Sequence, residues 1–214
     1  MEEIILETKE LCKQYHKQTV LKNINMRIPK GCVYGLLGAN GAGKSTLMKI
    51  LCGMTRADAG EVFFDGKIWS RKCIERIGAL IELPPVYENL SAVDNLKVRT
   101  WTLGISDARI LEVLDIVDLK NTGKKQVGKF SMGMKQRLGI AVALLNDPDF
   151  LILDEPTNHL DIRMTEWLEK YLQDFKGGLL IVSHDRKFLD NVATRILEME
   201  GGHLQSFKGN YTKY

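Results

Sequence analysis

The run Gly38-Ala39-Asn40-Gly41-Ala42-Gly43-Lys44-Ser45 decides how this chain is read. It lies between an apolar stretch, Val33-Tyr34-Gly35-Leu36-Leu37, and a segment of helical spacing from about Lys44 to Leu51. Strand, glycine-rich loop and helix in that order form a phosphate-binding loop, and every fixed position of the pattern is filled. Glycines there let backbone N–H groups converge on phosphate oxygens. The helix adds the positive end of its dipole. Gly38, Asn40, Gly41, Ala42, Gly43 and Thr46 are thus candidates to cradle the polyphosphate. Lys44 is placed to reach its outer phosphates, and the Ser45 hydroxyl to ligate Mg²⁺.

Phe150-Leu151-Ile152-Leu153 is a second buried strand, and it ends in Asp154 and Glu155. A carboxylate at the C-terminal end of a parallel strand lies where such sheets bind ligands. Asp154 suits Mg²⁺ held through water, and Glu155 suits a water attacking the γ-phosphate. Outward from these two points, strands alternate with helices. The first thirty residues instead read as short strands, Ile4 to Leu6 and Val20 to Ile28, around a polar turn. Pro84-Pro85 then opens a stretch of helical spacing. The predicted fold class is α/β, a P-loop NTPase with a mostly parallel sheet core, an N-terminal antiparallel β part and an inserted helical subdomain. One domain, 1–214, is expected, with the helical insert at about 85–147. Leu36, Leu151 and Ile181 are expected in one parallel sheet.

Composition agrees. Hydrophobic residues make up 44% and charged residues 27% of 214 positions, and 30 Lys+Arg against 27 Asp+Glu leave a net charge of +3. That balance gives no electrostatic case for nucleic acid, and no direct DNA binding is expected. Cys12, Cys32, Cys52 and Cys73 lack metal-ligand spacing and read as free thiols in a reducing cytoplasm. The acidic start Met1-Glu2-Glu3 does not fit a signal peptide. Apolar runs fall far short of the ~20 residues that span a bilayer. The chain is expected in the cytoplasm, and peripheral on the inner face of the membrane if a permease partner exists.

With these residues in place, the chain resembles the nucleotide-binding domain of ATP-binding cassette (ABC) proteins over nearly its whole length. Phe130-Ser131-Met132-Gly133-Met134-Lys135-Gln136-Arg137 stands where that family carries its Leu-Ser-Gly-Gly-Gln signature, with Ser131 and Gly133 kept. The resemblance implies that Ser131 and Gly133 hold the γ-phosphate bound by a second chain, in a homodimer formed around ATP. It implies that His184 contacts the γ-phosphate, that Asp161 belongs to the loop coupling the two sites, and that Tyr15 stacks on adenine. Glu82 replaces the usual Gln, a position that ligates Mg²⁺ or water and relays to a membrane permease. A Glu there and a Met-rich signature resemble the ATPases of lantibiotic self-protection exporters. The later segments Asp154 to Asp161, Ser183 to Leu189 and Gly209 to Tyr214 resemble the F subclass, whose members act on ribosomes. A recombined or engineered chain would account for the change. The leading expectation is a MgATP-hydrolysing cassette that drives a separate permease in export of a peptide antibiotic. Action on the ribosome is the alternative, and a hybrid that binds ATP without a coupled partner is a third.

Overall fold

The computed structural model describes residues 2–214, and the side chains of all of these except 102 and 103. The chain enters as a hairpin of β1 (Ile4–Tyr15) and β2 (Gln18–Pro29). Strand β3 (Val33–Leu37) then runs through the glycine loop into helix α1 (Lys44–Leu51). β4 (Ala59–Phe64) and β5 (Lys67–Ile68) return to the hairpin and complete a four-stranded antiparallel sheet of order β2-β1-β4-β5. A 3₁₀ helix, Arg71–Arg76, leads to β6 (Ile77–Leu80).

Three helices follow, α2 (Ala92–Leu103), α3 (Asp107–Ile116) and α4 (Met132–Leu144). β7 (Phe150–Asp154), α5 (Ile162–Asp174), β8 (Gly178–Val182), α6 (Arg186–Val192) and the pair β9 (Arg195–Glu200) and β10 (His203–Lys208) complete the order. The second sheet has six strands in the order β10-β9-β3-β8-β7-β6. β10 alone runs antiparallel to its neighbour; the other four pairings are parallel. Leu36, Leu151 and Ile181 share this sheet, as expected.

Each central strand is buried on both faces, which is why it reads as an unbroken apolar run. Along β7 and β8, Leu151, Leu153, Leu179 and Ile181 face one core with Leu138 of α4, Leu168 of α5 and Phe188 of α6. Phe150, Ile152 and Leu180 face the other core with Leu47, Met48 and Leu51 of α1 and with Ile5, Leu21 and Ile24 of the hairpin. The antiparallel sheet therefore packs across α1 from the parallel one.

The hairpin departs from the sequence reading. β1 does not stop at Leu6 but runs to Tyr15, paired on both sides by β2 and β4. Its register shifts between Thr8 and Leu11, and Glu10 takes a φ of 48° there. That irregularity breaks the alternation of apolar and polar residues on which a strand reading rests.

Cys12, Cys32, Cys52 and Cys73 are all free, and burial pushes the Cys52 thiol up to about 12. Among the described residues no helix is long and apolar enough to cross a membrane.

Candidate nucleotide site

Four strand ends converge on one edge of the parallel sheet, those of β3, β8, β7 and β6, and they carry the chemistry. The loop after β3 turns on Gly38, whose φ is 148°. A Cβ at that position would stand 2.4 Å from the Met199 carbonyl oxygen, so no other residue fits. The Lys44 ammonium folds back over the loop and donates to the carbonyls of Gly38 at 2.6 Å and Ala39 at 3.0 Å. The first turn of α1 leaves its N–H groups without acceptors inside the helix. Loop, ammonium and helix end thus present a concentrated set of donors to an anion.

These groups line a cavity of about 480 Å³ together with Asp154, Glu155 and His184. Asn40, Gly41, Gly43, Lys44, Ser45 and Thr46 form one wall; Gln18 and Val20 of the hairpin and Val182 of β8 close it. Gly38 and Ala42 line an adjoining cavity of about 470 Å³ between the loop, the hairpin and the turn after β9.

Burial raises the carboxyl of Asp154, partly offset by the Glu82 N–H and by the positive charges of Lys44 and Lys49; the charge of Glu82 adds to the rise. Burial likewise raises the carboxyl of Glu155, against the N–H and charge of His184. Glu155 adopts a φ of 48°, strained for a residue with a side chain. Its Oε2 accepts from the His184 N–H at 3.2 Å. Its Oε1 is buried and accepts no hydrogen bond among the described residues, with His184 Nε2 standing 3.5 Å away. A buried acceptor left open at a phosphate site suits a bound water.

Ser131, Gly133 and Asp161 do not join this cavity. They line another, of about 360 Å³, with Met134, His159 and Met164. Ser131 caps α4 by accepting from the Met134 N–H at 3.2 Å, and Asp161 caps α5 by accepting from the Met164 N–H at 2.9 Å. A Cβ on Gly133 would stand 2.5 Å from the His159 carbonyl oxygen, so the glycine is what lets the two loops touch.

Two further residues stand apart. The Glu82 carboxylate pairs with Lys49 of α1 at 2.6 Å, and the residue takes a φ of 62°. Tyr15, at the end of β1, carries Lys13 5.2 Å above its ring and does not line the cavity. The sequence reading missed Gln136. It is buried, and its Nε2 donates to the carbonyls of Glu155 at 3.1 Å and Pro156 at 3.3 Å. It is the one buried polar side chain on α4 among the described residues, but in sequence it stands between Lys135 and Arg137, where nothing sets it apart from a solvated face.

A phosphate loop facing strand-end carboxylates across one sheet edge defines the class, a P-loop nucleoside triphosphatase. Comparison with known proteins makes it specific. The ABC transporter family model matches residues 21–158, and the chain belongs to that family. A lantibiotic transport ATP-binding protein of Streptococcus pyogenes, SrtF, is 49% identical over 192 residues, which cover 88% of this chain and 84% of that one. ABC transporter F family member 5 of Arabidopsis thaliana is 32% identical, covering 94% of this chain and only 35% of its own length. A solved ATP-binding cassette in a dimeric, post-hydrolysis state with ADP and Pi superimposes with a TM-score of 0.84 at 26% identity, covering 95% of this chain and 98% of that one. The chain is an ABC-type ATPase, with ATP as its substrate.

Proposed function

We propose that this ATPase is a single cassette, 1–214 with a helical insert at about 85–147, that pairs with a second copy around two MgATP molecules. It would drive a separate membrane permease that exports a peptide antibiotic. The observation that supports this best is the division of the candidate residues between two cavities. One holds the phosphate loop, Asp154, Glu155 and His184; the other holds Ser131, Gly133 and Asp161. Neither surrounds a γ-phosphate by itself. Head-to-tail pairing would bring the first cavity of one copy against the second cavity of the other, and would do so twice.

In this reading Gly38, Gly41 and Gly43 cradle the phosphates through backbone N–H groups, and Lys44 exchanges its loop carbonyls for phosphate oxygens. Tyr15 at the hairpin end offers a face to adenine. Ser45 and Asp154 line one cavity, a hydroxyl and a partly buried carboxyl facing the phosphate loop, so these residues fit Mg²⁺. No group of three or more His, Cys, Asp or Glu side chains able to hold a metal exists among the described residues. That suits an ion completed by phosphates and water. When bound, Mg²⁺ neutralises charge developing between the β- and γ-phosphates. Glu82 adds a carboxylate beside the metal ligand Asp154, tethered by Lys49. Glu155 Oε1 takes a proton from the attacking water, and His184 steadies the γ-phosphate.

The exporter reading is supported by the likeness to SrtF and would put the cassette in the cytoplasm, on the inner face of the membrane. The F-subclass alternative is favoured by the segments Asp154 to Asp161, Ser183 to Leu189 and Gly209 to Tyr214, and would place the chain on ribosomes. Affinity purification of the tagged chain from the membrane fraction and from ribosomes separates them. Recovery of a stoichiometric polytopic membrane protein supports the exporter; recovery with ribosomal subunits, abolished by high salt, overturns it.

A further inference from the structure

The closing segment has a definite place in the fold, and it lies against the helix that follows His184. Asp190, in the second turn of α6, accepts from the Thr212 N–H at 2.6 Å and from the Thr212 hydroxyl. Asn210 Nδ2 donates to the Asp190 carbonyl at 3.3 Å. The Tyr211 ring packs against the core and carries the Arg186 guanidinium at 5.4 Å. Tyr214 closes the segment by donating to Glu198 of β9 and by meeting the Phe207 ring of β10 edge-on at 5.0 Å. The segment is therefore fastened to the β9–β10 pair and grips α6 at both Arg186 and Asp190.

α6 has only seven residues, too few to hold its shape without help from its surroundings. Its other face meets α5, where Asn191 donates to Glu169 at 2.8 Å and accepts from Gln173 at 2.8 Å. His184 precedes the cap Asp185 by one residue, and its ring is largely exposed, with Glu155 as its partner. The His184 ring is thus carried by the loop Ser183–Asp185, which runs directly into α6 and supplies its cap through Asp185.

We propose that Tyr211 and Thr212 are positioning residues for His184, holding α6 through Arg186 and Asp190 so that the imidazole stays against Glu155 and the γ-phosphate. The proposal rests on the reading of His184 as a γ-phosphate contact. It gives the closing segment a task in ATP hydrolysis independent of any ribosome or permease.

The test uses the full chain, with ATP and Mg²⁺ as ligands. Asp190→Ala should lower kcat about tenfold, the order of cost of a slightly misplaced catalytic group, and leave ATP affinity unchanged. Asp190→Asn keeps an acceptor and a donor toward Thr212 and should restore the rate. Arg186→Ala, an exposed change that spares the core, should lower kcat in the same sense and carries the test if Asp190→Ala does not fold. In ¹³C-histidine spectra the ring signal of His184, assigned with His184→Gln, should shift in Asp190→Ala while those of His16, His159 and His203 stay. A fallen kcat in His184→Gln with a parental kcat and an unmoved His184 signal in Asp190→Ala and Arg186→Ala would overturn the proposal. An unchanged kcat in His184→Gln would instead discard the reading of His184 itself, and that arm identifies it alone.

Discussion

Lys44 and Glu155 carry opposite burdens at one site. The Lys44 ammonium occupies two loop carbonyls and is the cation that the phosphate loop supplies. Lys44→Ala should weaken ATP binding by orders of magnitude, read by titration with a fluorescent ATP analogue, because charge-assisted hydrogen bonds to the outer phosphates are lost. Glu155 is the reverse case, an acid kept where charge is costly. Its carboxyl is raised by burial, so the folded state holds its proton more tightly than the unfolded chain does. Its contribution to stability is present below the ordinary glutamate range, about 4.3, and is lost as pH rises through its folded value. At neutral pH Glu155→Gln should therefore melt higher than the parent without nucleotide. The gain should be a few degrees, since about 1 kcal/mol moves Tm by roughly 2–4 °C at this size. Melting curves at pH 7.5 and pH 4 check the sign: the gap should close at the lower pH. The loop and both carboxylates were legible in sequence because their spacing is tied to strand ends. The pairing of Glu82 with Lys49 was not, since it joins residues 33 apart with three strands between them.

Among the elements, the close approach of the α4 and α5 caps is the feature most open to disruption. Gly133→Ala would drive a methyl into the His159 carbonyl at 2.5 Å and push the two loops apart. Because the phosphate loop lines a different cavity, ATP affinity of the single chain should survive this change. Pairing around ATP should fail, which cross-linking of the two variants with and without MgATP would show. The central strands were readable as apolar runs because burial on both faces leaves no polar position in them. The hairpin was misread for a physical reason, its bulge at Glu10, and β5 is too short at two residues to leave a pattern. Gln136 escaped notice because its partners are backbone carbonyls 19 and 20 residues away, invisible to any reading of side-chain types.

Across the whole molecule, the candidate residues lie in two separated cavities that a second copy would close. Glu155→Gln keeps the shape of the site and removes the base, a loss that commonly costs ~10²–10⁴-fold in rate. ATP then persists, and its γ-phosphate is free to be held by Ser131 and Gly133 of a second copy. Light scattering on size exclusion should give a monomer for Glu155→Gln without nucleotide and a dimer with MgATP. The dimer should be lost when Ser131→Arg, which puts a bulky cation where a small hydroxyl must fit, is added. A Glu155→Gln protein that binds MgATP tightly and remains a monomer would contradict the composite site.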